Sequence, residues 1–121
     1  MNIKTTTPEK RISRLLKAID QPARIQILLA IGGGEACVCH LESLLGLRQA
    51  YISQHLMALR DAELVTDRRE GRYIFYRLTD DRMLELIQLA SDLTGIPEKE
   101  LMHATADPGM LNCCCPNCAS E

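Results

Sequence analysis

The chain has 121 residues, of which 46% are hydrophobic, with one Phe, no Trp and a formal net charge of −2, so we expect one domain with a modest aliphatic core. No secretory signal, transit peptide or membrane-spanning run is apparent, since the longest apolar stretch is residues 25–31, and we expect a cytoplasmic protein with no membrane partner. The six cysteines of such a protein are expected to bind metal or undergo redox chemistry rather than to form a disulfide framework.

Two helices are predicted at the start of the chain. Thr7-Pro8 has the pattern of an N-cap followed by proline at the first helical position, and apolar residues then recur at helical spacing as far as Ile19. Pro22 begins a second helix whose apolar residues indicate that it is nearly buried. The glycines at 32–34 end it, because glycine strongly disfavours a continuing helix.

A helix-turn-helix is predicted next. A short helix at 38–45, a turn containing Gly46 and a longer helix at 49–62 have the spacing of that motif. Ile52, Leu56 and Leu59 should face inward, which leaves the early polar residues of the second helix free to enter a major groove. Glutamine can read adenine, and serine or tyrosine can reach phosphate. The predicted DNA-reading residues are Gln49, Tyr51, Ser53, Gln54 and His55.

A β-hairpin is predicted after the second helix of this motif. Two β-patterned runs, 64–69 and 72–78, flank Glu70-Gly71, which has the composition of a hairpin loop. Between residues 48 and 77 there are six arginines and four acidic residues, which focuses positive charge in a chain that is acidic overall. Arg68, Arg69 and Arg72 should cluster at the hairpin tip, where they can neutralise DNA phosphates or enter the minor groove.

A final helix completes the predicted domain. Thr79 can cap this helix, and Gly95 and Pro97 stop it. The order helix, turn, helix, hairpin predicts a mainly α protein with a β-hairpin wing, that is, a winged helix-turn-helix. We divide the chain into a DNA-binding and dimerisation domain at 1–95 and a cysteine-rich tail at 96–121.

Several motifs resemble the ArsR/SmtB family of metal-sensing repressors. Residues 35–41 (EACVCHL) resemble the family's cysteine box. Residues 52–56 (ISQHL), 59–62 and 64–65 resemble its recognition helix and the exit from it, and 68–72 and 76–78 resemble its wing. The resemblance covers about residues 8–95. It implies a homodimer, with the first and last helices at the interface, that binds double-stranded operator DNA and represses an operon until an inducer binds.

The chain departs from the family pattern at three places. His40 stands where the box usually has Asp, and Glu63 stands where glycine commonly ends the recognition helix. If Glu63 has a positive φ, it carries a strain that glycine would avoid. The last helix lacks the His/Asp pattern of the family's zinc-sensing site, which argues against a zinc or nickel site of that type.

Cysteines occur in two clusters, Cys37 with Cys39 in the box and Cys113, Cys114, Cys115 and Cys118 in the tail. Thiolates are ligands for soft ions, but positions i and i+2 of a helix face different ways. Joint binding by Cys37 and Cys39 therefore requires a frayed or extended start to their helix. The arsenite-sensing branch usually offers a third Cys where this chain has Glu42. We expect tail cysteines, from either protomer, to complete the site.

The resemblance to that branch favours arsenite as the inducer, since three thiolates suit a trivalent ion. Cadmium, lead or zinc is the alternative inducing ion. The cysteines could instead form a thiol redox switch, a structural zinc site at Cys115 and Cys118, or simply pack as buried side chains. His40 and His103 are expected to be solvated or packed rather than ligands. An enzyme is not expected, because there is no phosphate-cradling loop and no positioned base for a cysteine nucleophile. A pure protein-interaction module would show no salt-dependent DNA binding.

Overall fold

The computed structural model of the protein describes residues 7–97 and 100–101. Its elements are α1 (Pro8–Ala18), α2 (Pro22–Ile31), β1 (Ala36–Cys37), α3 (Val38–Leu45), α4 (Gln49–Asp61), β2 (Val65–Glu70), β3 (Tyr73–Leu78) and α5 (Arg82–Leu93). The expectation of a mainly helical winged helix-turn-helix is confirmed. His103 and the four tail cysteines lie outside the described residues, so their predicted roles stay predictions.

Local capping and helix-breaking residues set the helix boundaries. The Thr7 hydroxyl accepts a hydrogen bond from the Lys10 N–H at 3.2 Å, and Pro8 follows as the first residue of α1. Pro22 begins α2, and Gly32 ends it with a φ of 58°. Gly46 closes α3 in the left-handed conformation, φ 69° and ψ 21°, where a Cβ would be unfavourable. The predicted starts and ends of these helices are confirmed.

The core lies where the helix-turn-helix packs on α2. Ile27, Leu28, Leu41, Ile52, Leu56 and Leu59 are completely buried. Helices α2, α3 and α4 all pack against one another. The apolar face of α4 is therefore held on two sides, which fixes the direction in which its opposite face points.

The end of α4 is a Schellman motif with glutamate at the position that favours glycine. Glu63 has a φ of 62° and is the non-glycine residue with positive φ in the described chain. The Leu64 N–H donates to the Leu59 carbonyl and the Glu63 N–H to the Arg60 carbonyl, both at 2.9 Å. The expected backbone strain at Glu63 is thus present.

The wing belongs to a three-stranded antiparallel sheet in the order β1-β3-β2. Strand β1 was not predicted, because two residues are too short for a sequence pattern. In the register, Cys37 of β1 lies opposite Phe75 of β3, and Arg68 of β2 lies opposite Phe75 from the other side. The hairpin loop is Gly71-Arg72 rather than the predicted Glu70-Gly71, with a φ of 61° at Gly71.

Helix α5 begins later than predicted. Its N-cap is Asp81, and the Asp80 carboxylate, rather than Thr79, accepts a hydrogen bond from the Arg82 N–H at 2.9 Å. The prediction that Thr79 caps this helix is wrong, since the Thr79 N–H donates to the Leu64 carbonyl and extends the hairpin. Among the residues described, no helix has both the length and the apolar character needed to span a membrane.

Large apolar side chains remain exposed on the first and last helices. Ile12 and Leu16 of α1 and Leu89 and Leu93 of α5 are all exposed, Leu93 to 82%. An exposed face of this kind on two helices is typical of a surface that a partner covers.

Candidate nucleic-acid interface and thiol pair

The first turns of α4 present polar side chains away from the core. Gln49, Tyr51 and Gln54 are exposed and Ser53 is half-buried, while Ile52 between them is buried. This is the arrangement predicted from the helical spacing. The free amides at the start of a helix also favour an anion such as a phosphate. The surface can therefore offer both hydrogen-bonding side chains and a favourable helix end to a nucleic acid.

His55 does not belong to that surface, and the prediction that it faces outward is wrong. It is 6% exposed, and its Nδ1 accepts a hydrogen bond from the Arg24 Nε at 3.1 Å. Arg24 also donates to the Ala18 carbonyl at the end of α1 at 3.0 Å. The pKa of His55 lies below its ordinary value, mainly because the ring is buried and secondly because Arg24 is positively charged. His55 thus joins the recognition helix to the α1–α2 junction.

The three wing arginines are placed differently from one another. Arg72 is in the hairpin loop, with its guanidinium 5.6 Å from the Tyr73 ring centroid, and Arg69 is exposed near the end of β2. Neither Arg69 nor Arg72 forms a salt bridge within the described part of the chain. Both can reach a phosphate without first breaking an ion pair.

Arg68 lies within β2 and not at the tip, which corrects the predicted cluster. Its Nε and Nη2 donate to the two carboxylate oxygens of Glu35 at 2.7 and 2.9 Å, and its Nη1 donates to Glu70 at 3.1 Å. The hydrogen bond from Arg68 lowers the pKa of Glu35, and both carboxylates raise that of Arg68. Because the loop comes one residue later than predicted, Arg68 is placed opposite Phe75 instead.

Cys37 and Cys39, called here the thiol pair, bring their sulfurs to 2.9 Å of each other. Cys37 is the N-cap of α3, with extended backbone at φ −88° and ψ 166°, and its Sγ accepts a hydrogen bond from the His40 N–H at 3.3 Å. The extended start that joint ion binding requires is therefore present. A tetrahedral ion with metal–sulfur bonds of about 2.3 Å separates its sulfurs by about 3.8 Å. The pair would have to open by about 1 Å to hold such an ion.

The thiol pair is partly sheltered from solvent. Cys37 is 2% exposed and packs on Phe75, whereas Cys39 and His40 are half-buried. In residues 7–97 and 100–101 no group of three or more His, Cys, Asp or Glu side chains is placed to hold a metal ion. Two residues border the pair: Glu35 is the first residue of the motif that resembles the cysteine box, whereas Phe75 carries no sequence signal that would have singled it out.

Comparisons with known proteins match the region that contains the thiol pair and α4. The profile described as "Bacterial regulatory protein, arsR family" matches residues 21–67, which include the thiol pair and α4. A biofilm growth-associated repressor of Agrobacterium fabrum is 40% identical over 96 residues, or 77% of this chain and 82% of that repressor. An arsenic resistance transcriptional regulator of Pseudomonas putida is 48% identical over 61 residues, or 50% of this chain and 47% of its own length.

A solved structure of a regulator is similar to this chain as well. The solution structure of a homodimeric winged helix-turn-helix DNA-binding domain from Mycobacterium bovis, a possible ArsR-family transcriptional regulator, superposes with a TM-score of 0.65 at 28% identity. The match covers 76% of this chain and 88% of that domain.

Proposed function

The chain belongs to the ArsR/SmtB family of transcriptional repressors, and we propose that it is a cytoplasmic homodimer that leaves its operator DNA when arsenite binds its cysteine thiolates. The observation that carries this proposal is the thiol pair, two sulfurs 2.9 Å apart at the N-cap of α3. The relatives are DNA-binding regulators rather than enzymes, which agrees with the absence of catalytic motifs in the sequence.

DNA binding is assigned to the exposed face of α4 and to the wing. Arg69 and Arg72 neutralise backbone phosphates, and the α4 residues that read or position the groove are Gln49, Tyr51, Ser53 and Gln54. His55 is left out of this set because it is buried. The homodimeric relative and the exposed apolar residues of α1 and α5 support a dimer with those helices at its interface.

Coupling between ion and DNA follows from where the thiol pair sits. Cys37 caps α3, and α3 packs against α4. An ion that draws the two sulfurs apart removes the cap at the His40 N–H and shifts the start of α3. The recognition helix then loses the support that fixes its direction, and the ion and DNA oppose each other's binding by the same factor.

The remaining ligands are assigned to the tail. Cys113, Cys114, Cys115 and Cys118, which lie outside the described residues, offer more thiols than one ion needs. Arsenite is the proposed inducer because three thiolates suit a trivalent ion and because a relative that is 48% identical over 61 residues is an arsenic resistance regulator. Cadmium, lead and zinc are the alternative inducers.

The test is a titration of the reduced protein, bound to its own promoter DNA, with arsenite, cadmium, lead and zinc in parallel. Fluorescence anisotropy of the labelled duplex measures how much DNA remains bound. Arsenite should release the DNA. The doubly substituted Cys37→Ser, Cys39→Ser protein should bind the DNA and stay bound when arsenite is added. Release from that variant at the same arsenite concentration as from the unsubstituted chain would overturn the assignment of the thiol pair.

Deleting residues 112–121 tests the tail separately. DNA affinity should be nearly unchanged and the response to arsenite weaker, since the deletion leaves the winged helix intact. A deletion variant that responds as the intact chain does would show that the tail is not part of the sensor. The tail cysteines would then be assigned to ion scavenging or to a structural site.

A thiol redox switch is the second candidate, favoured by the same short distance between the sulfurs of the thiol pair. A two-electron oxidant such as diamide would take two electrons and two protons from the thiols as an S–S bond of about 2.05 Å forms. Release by diamide, reversed by dithiothreitol, with no release by arsenite under reducing conditions, would favour this candidate over ion sensing.

A further inference from the structure

One row of side chains crosses the sheet from the thiol pair to the wing. Cys37 lies opposite Phe75, and Phe75 lies opposite Arg68, so the three residues occupy successive strands of the sheet. Directly opposed residues of antiparallel strands place their side chains on the same face. Phe75 packs on Cys37, and the Arg68 guanidinium carbon is 4.6 Å from the Phe75 ring centroid.

A second connection runs beside this row. Glu35 precedes Cys37 by two residues and forms two hydrogen bonds with Arg68, at 2.7 and 2.9 Å. The segment that carries Cys37 is therefore attached to β3 by backbone pairing and to β2 by an ion pair. The planar guanidinium matches the carboxylate with both donors, a geometry that fixes direction as well as distance.

Cys37 has little room to move alone. Cys37 is 2% exposed and Phe75 is 1% exposed, and interiors packed this closely transmit a displacement rather than absorb it. An ion bonded to both sulfurs holds them farther apart than the observed 2.9 Å, by about 1 Å where the site is tetrahedral and by less where it is pyramidal. Such an ion must displace Cys37, Cys39 or both. A displaced Cys37 acts on Phe75 directly and on Arg68 through both Phe75 and Glu35.

We propose that Glu35 is a positioning residue for DNA release, because with Phe75 it transmits the state of the thiol pair to Arg68 and so to the wing. This inference rests on the proposed function and adds a second route beside the one through α3. Glu35 does not touch the ion, and Arg68 need not touch DNA. Together, Glu35 and Arg68 make the orientation of β2, which carries Arg69, change with the position of Cys37.

The test compares two conservative substitutions that each remove one exposed bidentate ion pair. Glu35→Gln removes the pair with Arg68. The control, Asp80→Asn, removes the pair that Asp80 forms with Arg82 at 2.7 Å at the start of α5. The quantity measured is the factor by which saturating sodium arsenite weakens binding to operator DNA. Arsenite affinity of the DNA-free protein is measured alongside it.

In Glu35→Gln this factor should fall about two- to fivefold, the contribution expected of one exposed ion pair, while arsenite affinity without DNA is unchanged. Asp80→Asn should match the unsubstituted chain. Amide hydrogen exchange supplies a second readout, since arsenite should change exchange across residues 65–78 less in Glu35→Gln. Phe75→Leu, checked for folding by circular dichroism, should reduce the factor as well.

The outcomes separate this inference from the proposed function. If arsenite does not release DNA from the unsubstituted chain, the proposed function fails and the inference falls with it. If that chain responds and Glu35→Gln shows the same factor and the same exchange change, only the inference is overturned. It is also overturned if Glu35→Gln loses arsenite affinity without DNA, because Glu35 would then act at the ion site itself.

Discussion

Replacing Glu63 with glycine should stabilise the protein. Glu63 is exposed, has a φ of 62°, and forms no side-chain hydrogen bond or ion pair in the described part of the chain. Its two neighbouring hydrogen bonds, Leu64 N–H to Leu59 and Glu63 N–H to Arg60, are made by the backbone and survive the substitution. Glycine therefore removes the strain and no contact is lost.

Two opposing terms set the size of the effect. A left-handed conformation costs an L-residue about 1–2 kcal/mol. Glycine loses about 0.5–1 kcal/mol more conformational entropy than alanine on folding. The difference predicts a gain of about 0.5–1 kcal/mol, which corresponds to a rise of about 2–8 °C in Tm for a domain of this size.

Urea and thermal unfolding of the Glu63→Gly and Glu63→Ala proteins measure this gain. The alanine variant loses the same charge but keeps its Cβ, so its stability should stay close to that of the unsubstituted chain. DNA affinity should be the same for both variants, because α4 ends at the same residue. Equal stabilities of the glycine and alanine variants, or a less stable glycine variant, would refute the assignment of strain to Glu63.

Three further substitutions test the interface, the buried histidine and the cap. Arg69→Ala with Arg72→Ala should reduce the slope of log affinity against log salt by up to about 3.6 in a homodimer, about 0.9 for each of four phosphate contacts. An unchanged slope would show that these wing arginines do not contact DNA phosphates. Burial holds the pKa of His55 in the folded state below its ordinary 6.5. Between the two pKa values the unfolded state therefore binds a proton that the folded state does not. The free energy of unfolding should fall as the pH drops through 6.5 toward the lowered pKa. His55→Gln should lose that dependence, at most about 1.4 kcal/mol per pH unit in urea unfolding, and an identical pH profile would contradict the buried neutral state. Cys37→Ala should cost about 0.5–1 kcal/mol through loss of the α3 cap, while Cys37→Ser should keep it, so equal stabilities would show that Cys37 does not act as a cap.

The helix boundaries could be predicted from sequence because local signals determine them. Thr7-Pro8, Pro22, Gly32 and Gly46 act on the backbone within a few residues of their own positions. The requirement for an extended start at Cys37 was equally local, since it follows from the i to i+2 spacing on a helix.

Long-range packing decided the features that the sequence did not predict. Strand β1 exists only because Ala36 and Cys37 pair with β3, and no pattern of two residues reveals such a partner. His55 is polar and was expected to face DNA, but Arg24 of α2 lies over that side of α4 and forms a hydrogen bond with it. Arg68 was placed at the tip because a shift of one residue in the loop changes which residue each strand position opposes.

Arsenite binding by the thiol pair is tested most directly by X-ray absorption at the arsenic edge of the arsenite complex, recorded for the reduced intact chain and for the Cys37→Ser, Cys39→Ser variant. The intact chain should show a sulfur-only shell of three thiolates, with the thiol pair supplying two of them. The double variant should lose that shell or show oxygen in it. An identical three-sulfur spectrum from both proteins would contradict the claim that Cys37 and Cys39 bind the inducer.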